Sequence, residues 1–331
     1  MTWPDYDPDG PSTGALLKAA GLGVRLAPKH GDRTPAQVAA LVGDAVAAIV
    51  STDPFDARVF AAAPRLRAIA RVGVGFDSID VDAASRAGVA VLTTPGANEA
   101  TVADHTMALL LAALRRVPEQ DAAIRRGEWN RVGAHTGWLL AGATVGLVGF
   151  GAIGRLVARR LSGFDVRLLI HDPAYDGGDG SAVDLPTLLR DADVVSLHAP
   201  LVPDTHRLIG AEQLALMRPG CVLVNTARGA MVDEAALEVA LRDGGIRAAA
   251  LDVFEREPPA GSLLLERPNV VLSPHVGGIS TASVREMTER ATQAVLAVLL
   301  GTEPDGLVNQ PRGRADAPAA GAAVVPAGRQ G

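Results

Sequence analysis

Short apolar runs recur along the chain, each closed by glycine or polar residues, with amphipathic stretches between them. The runs at 24–27, 45–50, 68–72, 89–92, 143–148, 166–170, 194–197, 221–225, 248–251 and 270–272 are short, rich in Val, Ile, Leu and Ala, and almost free of charge. That pattern predicts strands buried on both faces. Apolar residues return at helical spacing over 16–20, 35–42, 101–114, 153–161, 184–190, 211–217, 234–242 and 283–300, which predicts helices. Residues 1–14 are rich in Pro, Asp and Gly and predict a loop, and 118–140 is a polar stretch carrying Trp129 and Trp138. Strands alternating with helices imply an α/β fold, a doubly wound parallel sheet with ligands gathering at the carboxyl ends of its strands.

One strand end is more specific than the others. The run Ala143-Thr144-Val145-Gly146-Leu147-Val148 leads into Gly149-Phe150-Gly151-Ala152-Ile153-Gly154, then an amphipathic helix, a second strand, and Asp172. Gly149 permits the tight turn, Gly151 lets a pyrophosphate approach the backbone, and Gly154 lets the helix pack on the strand. Ala152 and Ile153 open the helix, whose free N–H groups and dipole favour anions. Asp172 stands where an acid receives the adenosine ribose hydroxyls and repels a 2′-phosphate, so the unit reads as an NAD site rather than an NADP site.

Composition narrows the classes. The 331 residues suffice for two domains. A net charge of −6 points away from nucleic acid and from anionic membranes. The one cysteine, Cys221, lies in an apolar run, reads as a buried strand residue, and suits a reducing cytoplasm. No apolar stretch reaches membrane-spanning length, and the N-terminus has no signal-peptide pattern. The tail 311–331 is Ala, Pro, Gly and Arg without periodicity and is expected to be disordered. No metal-ligand pattern is read. His105, on the 101–114 helix, is assigned no chemistry.

Three side chains at predicted strand ends complement one another. Arg228 is a fixed cation able to pair a carboxylate or polarise a carbonyl. His275 can pass a proton near neutrality. Glu257 can accept a hydrogen bond from that imidazole. Asp252 ends a strand and is placed to hold a nicotinamide carboxamide. At an earlier strand end, the turn Gly73-Val74-Gly75 offers N–H groups to a carboxylate.

The ordered set Gly149 to Gly154 with Asp172, Asn225-Thr226-Ala227-Arg228-Gly229, Leu251-Asp252-Val253-Phe254-Glu255-Arg256-Glu257-Pro258 and Ser273-Pro274-His275-Val276-Gly277-Gly278 resembles the D-isomer-specific 2-hydroxyacid dehydrogenases. The likeness runs from about Ala45 to about Asn309. It implies that Arg228, Glu257 and His275 are catalytic. It implies an NAD site completed by Thr101, His198, Ala199, Pro200, Thr205, Thr226, Ala227, Arg228, Asp252, His275 and Gly278. It places Ser51, Val74, Gly75, Asn98 and Arg228 near the substrate. It implies a smaller flavodoxin-like substrate domain over 1–98, completed by the closing helix at about 283–310, a Rossmann domain over 99–282, and a homodimer through the NAD domains.

The resemblance further implies reversible hydride exchange between carbon 2 of a 2-hydroxy acid and the nicotinamide. In it His275 carries the proton and Arg228 holds the carboxylate. Phosphoglycerate dehydrogenases of the family carry an arginine where this chain has Val50, which favours an unphosphorylated acid of glyoxylate or hydroxypyruvate type over 3-phosphoglycerate. Phosphite dehydrogenase carries a lysine where this chain has Val74, and no C-terminal regulatory domain is read. A rival of another class is a module like the C-terminal-binding-protein corepressors, which use NAD to control assembly. The Val-Gly-Gly after His275 speaks against it.

Overall fold

The computed structural model describes residues 1–4, 6–28, 31–129, 131–133 and 136–312. These form two compact units, one of Met1–Asn98 with the chain from Ser280 onward, the other Glu99–Ile279. Of the tail expected to be disordered, 313–331 lies outside the described residues. Arg312 at its start is held by an N–H bond to the Ser85 carbonyl, 3.0 Å.

In the first unit, strands β1 (Ala47–Val50), β2 (Ala68–Arg71) and β3 (Ala90–Leu92) form a three-stranded parallel sheet in that order. Helices α1 (Gly14–Ala19), α2 (Pro35–Val42), α3 (Ala57–Ala62) and α4 (Val81–Arg86) and the closing helix Thr281–Leu300 complete it. Alternate strand residues part between two cores. Val50, Ile69 and Val91 pack with α2, α3 and α4. Ile49, Ala70 and Leu92 pack with Met287, Ala291 and Val295 of the closing helix. The expected strand at 24–27 does not form. Its backbone bonds to Met1, whose amino group reaches Arg25 O at 2.7 Å while its carbonyl accepts from Ala27 N at 2.7 Å. Thr2 N–H in turn bonds Ile49 O of β1 at 3.0 Å, a pairing too short to make a strand. The six-residue helices α3 and α4, not expected from periodicity, are nucleated by Asp56 and Asp80, which accept first-turn N–H groups.

The second unit contains α5 (Glu99–Arg115), α6 (Val117–Arg125), β4 (Thr144–Val148), α7 (Ala152–Leu161), β5 (Arg167–His171), β6 (Ser181–Ala182), α8 (Leu185–Asp191) and β7 (Val194–Leu197). It continues through α9 (Ala211–Leu216), β8 (Val222–Asn225), α10 (Glu234–Arg242), β9 (Ala248–Leu251) and β10 (Val270–Leu272). Its seven-stranded sheet is parallel throughout, in the order β10-β9-β8-β7-β4-β5-β6. The period of two again divides the strands. Val195, Leu197 and Leu223 face α8, α9 and α10, while Val194, Val222 and Val224 face α5 and α7. Both faces are covered, which explains why the strands read as continuous apolar runs. The chain order reverses between β4 and β7, where sheets of this kind open a crevice. Cys221 sits fully buried just before β8, and burial pushes its thiol up to about 12, so it carries no thiolate chemistry. Helix α6 forms inside the stretch read as polar.

Candidate active site and cofactor site

The glycine turn lies in that crevice. Gly149 has φ 94°, and a Cβ there would stand 2.5 Å from Ala199 N and 2.6 Å from the His198 carbonyl carbon. A Cβ on Gly154 would stand 2.4 Å from Gly149 O. These two glycines let β4, β7 and α7 close on one another. Gly151 differs. It caps α7 without a side-chain bond, and a Cβ there would meet nothing within 4 Å. The space beside Gly151, at the N-terminus of the helix that Ala152 and Ile153 open, is therefore clear, a cradle that fits a pyrophosphate. Asp172, just past β5, is oriented by Phe150 N–H (2.6 Å to Oδ2) and Ala174 N–H (2.7 Å to Oδ1). On the far side stand His198, Ala199 and Pro200. His198 Nε2 meets Ser196 Oγ at 2.9 Å, while its Nδ1 is buried without a partner among the described residues. Burial pushes this imidazole down to about 4, so it is neutral and offers a hydrogen-bonding atom without charge. These observations fit a dinucleotide. Gly149→Ala is expected to cost on the order of 2–4 kcal/mol of stability. A denaturant titration checks that figure, and NADH fluorescence should show binding lost with it.

Other expected cofactor positions are more constrained. The Thr205 hydroxyl donates to Pro200 O (2.6 Å) and accepts from Val202 N (2.8 Å), so it is spent on its own turn. The Thr226 hydroxyl bonds Thr106 on α5 at 2.8 Å, leaving backbone as the part of Thr226 and Ala227 that a ligand can reach. Thr101 lies in the second half of the first turn of α5, and Gly278 in the loop after β10.

Three neighbouring strand ends build the reactive group. After β8, Asn225 clamps its own turn, its amide donating to Arg228 O (2.9 Å) and its Oδ1 accepting from Ala227 N (3.0 Å). Arg228 is thereby fixed with extended backbone, and its Nη1 donates to Ala227 O at 2.7 Å. Gly229 lies so close to the peptide joining Phe254 and Glu255 that any Cβ would overlap it. This contact brings the β8 turn against the segment carrying Glu257. After β10, His275 takes a left-handed backbone, φ 55°, and its Nδ1 lies 2.7 Å from Glu257 Oε2. Burial pushes the Glu257 carboxyl up. The hydrogen bond and charge of His275, the Phe254 N–H (3.1 Å) and the charge of Arg228 outweigh it and hold the group below the usual glutamate range. Asp252 is 1 % exposed, and its carboxylate accepts from Ser273 Oγ (2.6 Å), Val276 N (3.0 Å) and Gly277 N (2.7 Å). Both of its oxygens thus accept from the His275 loop.

The expected substrate residues Ser51, Val74, Gly75 and Asn98 fall in the first unit. Ser51 N–H donates to Thr2 Oγ1 (3.1 Å), and Asn98 is buried. In the Gly73-Val74-Gly75 turn, the Gly73 N–H is used by Thr94 Oγ1 (3.0 Å), so only those of Val74 and Gly75 remain available to an anion. Asn225 and Gly229 are working residues that stand outside the expected catalytic and cofactor sets. An Asn closing a strand before Thr-Ala-Arg-Gly is the signal of an Asx turn, and it was legible. Among the described residues, no group of three or more His, Cys, Asp or Glu could hold a metal.

A parallel sheet with a phosphate cradle at its switch point, and an acid beyond the next strand, defines a Rossmann-type NAD-dependent oxidoreductase. Residues 107–277 match the family model described as "D-isomer specific 2-hydroxyacid dehydrogenase, NAD binding domain". A glyoxylate reductase of Korarchaeum cryptofilum is 45% identical over 269 residues, covering 78% of this chain and 81% of that one. A D-3-phosphoglycerate dehydrogenase of Mycobacterium tuberculosis is 42% identical over 285 residues, covering 82% of this chain and 54% of that one. The crystal structure of the TT0316 protein from Thermus thermophilus superposes with a TM-score of 0.83 at 41% identity, covering 89% of this chain and 95% of that one. The chain belongs to the D-isomer-specific 2-hydroxyacid dehydrogenases.

Proposed function

We propose that the chain reduces a small unphosphorylated 2-oxo acid, of glyoxylate or hydroxypyruvate type, with Arg228, Glu257 and His275 as the catalytic set. The observation that carries this reading is the His275–Glu257 pair at 2.7 Å, in the same unit as the cradle and with the Arg228 charge acting on the same carboxylate. Bound NADH supplies the hydride. Arg228 pairs the substrate carboxylate and stabilises charge growing on the carbonyl oxygen. His275 donates its proton to that oxygen from Nε2, because Nδ1 is turned to Glu257. Glu257 keeps the imidazole in that orientation through the Nδ1 contact, the role a carboxylate plays behind a proton-transferring histidine.

For the substrate, Val50 offers no cation to a phosphate, and the glyoxylate reductase relative is matched over most of its length. The phosphoglycerate dehydrogenase relative supports the second reading. NADH oxidation is measured against glyoxylate, hydroxypyruvate, pyruvate and phosphohydroxypyruvate. The first two are expected to have the highest kcat/KM, and a lead for the phosphorylated acid would favour the second reading. NADH binding without turnover of any acid would favour the corepressor-like module.

Asp172 gives the cofactor preference. Asp172→Ser removes the charge that repels a 2′-phosphate, and the NADH-over-NADPH ratio in kcat/KM is expected to fall roughly tenfold or more. An unchanged ratio would show that the preference is set elsewhere.

A homodimer through the NAD units is supported by the exposed apolar side chains of Val117, Ile124, Trp129, Val132 and Leu139, which lie along one segment of that unit. A cytoplasmic location accords with one cysteine buried as a thiol; no described helix is long and apolar enough to cross a membrane.

A further inference from the structure

Helix α5 carries a histidine that the catalytic set does not use. The side chain of His105 is 23% exposed and rests against that of Asp252, 2% exposed. His105 Nε2 lies 2.9 Å from Ser273 Oγ and 3.3 Å from Asp252 Oδ1. The Ser273 hydroxyl has one proton, and it goes to Asp252 Oδ1 at 2.6 Å. The contact with His105 therefore requires Nε2 to carry a proton and donate it. From the other side, Asp252 accepts Val276 N–H at 3.0 Å and Gly277 N–H at 2.7 Å, and its own carbonyl accepts His275 N–H at 2.8 Å. A Cβ on Gly277 would stand 2.7 Å from Asp252 Oδ2 and 3.4 Å from His105 Cδ2, so helix, carboxylate and loop meet with no slack.

A continuous set of contacts thus runs from α5 to the reacting imidazole. His105 holds Ser273 and Asp252, and Asp252 holds two successive N–H groups of the loop. That loop keeps His275 in its left-handed backbone, with Nδ1 on Glu257. Helix α5 is a firm base for this, because it packs on β8, β9 and β10 and the neighbouring Thr106 bonds Thr226.

We propose that His105 is a positioning residue for His275, acting as an Nε2–H donor that locks the Ser273–Asp252 pair and through it the loop from Ser273 to Gly278. The proposal rests on the assignment of His275 as proton donor. A carboxylate held on one side only can swing, and a displacement of about 1 Å at a reacting group costs up to about 10²-fold in rate.

The test compares His105→Leu, His105→Gln, Ser273→Ala and His275→Ala in the full-length protein. Glutamine keeps a side-chain N–H donor, whereas leucine keeps only bulk. His105→Leu is expected to lower kcat on the order of 10- to 100-fold, with little change in the KM for the 2-oxo acid or in NADH affinity. Without cofactor, hydrogen exchange at the Val276 and Gly277 amides is expected to accelerate in this variant. The acid limb of kcat, set by Glu257 among His275, Arg228 and the Phe254 N–H, is expected to move up toward the ordinary glutamate range. His105→Gln is expected to restore all three, and adding Ser273→Ala to His105→Leu to cost little more. Wild-type kcat and wild-type amide protection in His105→Leu would overturn the proposal. So would a glutamine variant as impaired as the leucine one, which would reduce His105 to packing. If His275→Ala turns over normally, the assignment of His275 falls and takes this proposal with it. If His275→Ala is inactive while His105→Leu is normal, only the present proposal falls.

Discussion

Replacing His275 with alanine is expected to lower kcat for 2-oxo acid reduction by on the order of 10²- to 10⁴-fold, the range that a positioned proton donor supplies. The imidazole is 38% exposed and, beyond its bond to Glu257, supports little of the core, so the fold should survive its loss. NADH binding should fall far less than turnover, since the pyrophosphate cradle at Gly151 lies on other strands even though His275 stands at the edge of the cofactor site. The discriminating result is therefore a split: a melting temperature near wild type and a small change in cofactor affinity against a drop of about 10²- to 10⁴-fold in turnover. Equal losses in all three would mean that His275 supports the loop more than it serves the reaction.

Arg228→Ala is expected to lower kcat/KM on the order of 10³-fold or more, because one side chain both pairs the carboxylate and stabilises the developing oxyanion. Much of the loss should appear in kcat, since the second role is felt only as charge develops. Arg228→Lys should recover little. A compact ammonium cannot present two parallel donors to a carboxylate. The turn itself should persist, because Asn225 holds it through the backbone of Ala227 and Arg228. An Arg228→Ala enzyme with wild-type kcat/KM would remove this residue from the catalytic set.

The pH dependence follows from Glu257. Its carboxyl is held below the ordinary value of 4.5, so the pair with His275 is fully present above that value. It is lost as pH falls through the lowered value of the folded protein. In the direction of reduction, kcat should hold down to pH 4.5 and fall only below it. Glu257→Gln, which cannot carry the charge, should have a lower plateau without that limb. An acid limb centred above 4.5 in the wild type would contradict the assignment.

Much of this was legible in the sequence because the signals were local or periodic. The helices at 35–42 and 234–242 and the strands at 194–197, 248–251 and 270–272 stand where their apolar spacing placed them. Periodicity erred at 24–27, where the backbone pairs with Met1 over too short a stretch to make a strand. It missed α3 and α4, which hold fewer than two turns and owe their start to an aspartate cap. At the site, residue types were legible and their bonding was not. Nothing in the spacing says that Asp252 would be spent on the His275 loop, or that Thr226 would turn its hydroxyl to Thr106. Such bonds join segments far apart in the chain, and only the register of the strands decides which side chains meet.

The most direct test of the central claim is to supply NADH deuterated at the transferred position with glyoxylate and to weigh the glycolate formed. One deuterium is expected on carbon 2 of the product, formed rapidly by the wild-type protein and about 10²- to 10⁴-fold more slowly by His275→Ala. Glycolate without deuterium, or no glycolate from a protein that binds NADH, would contradict the claim.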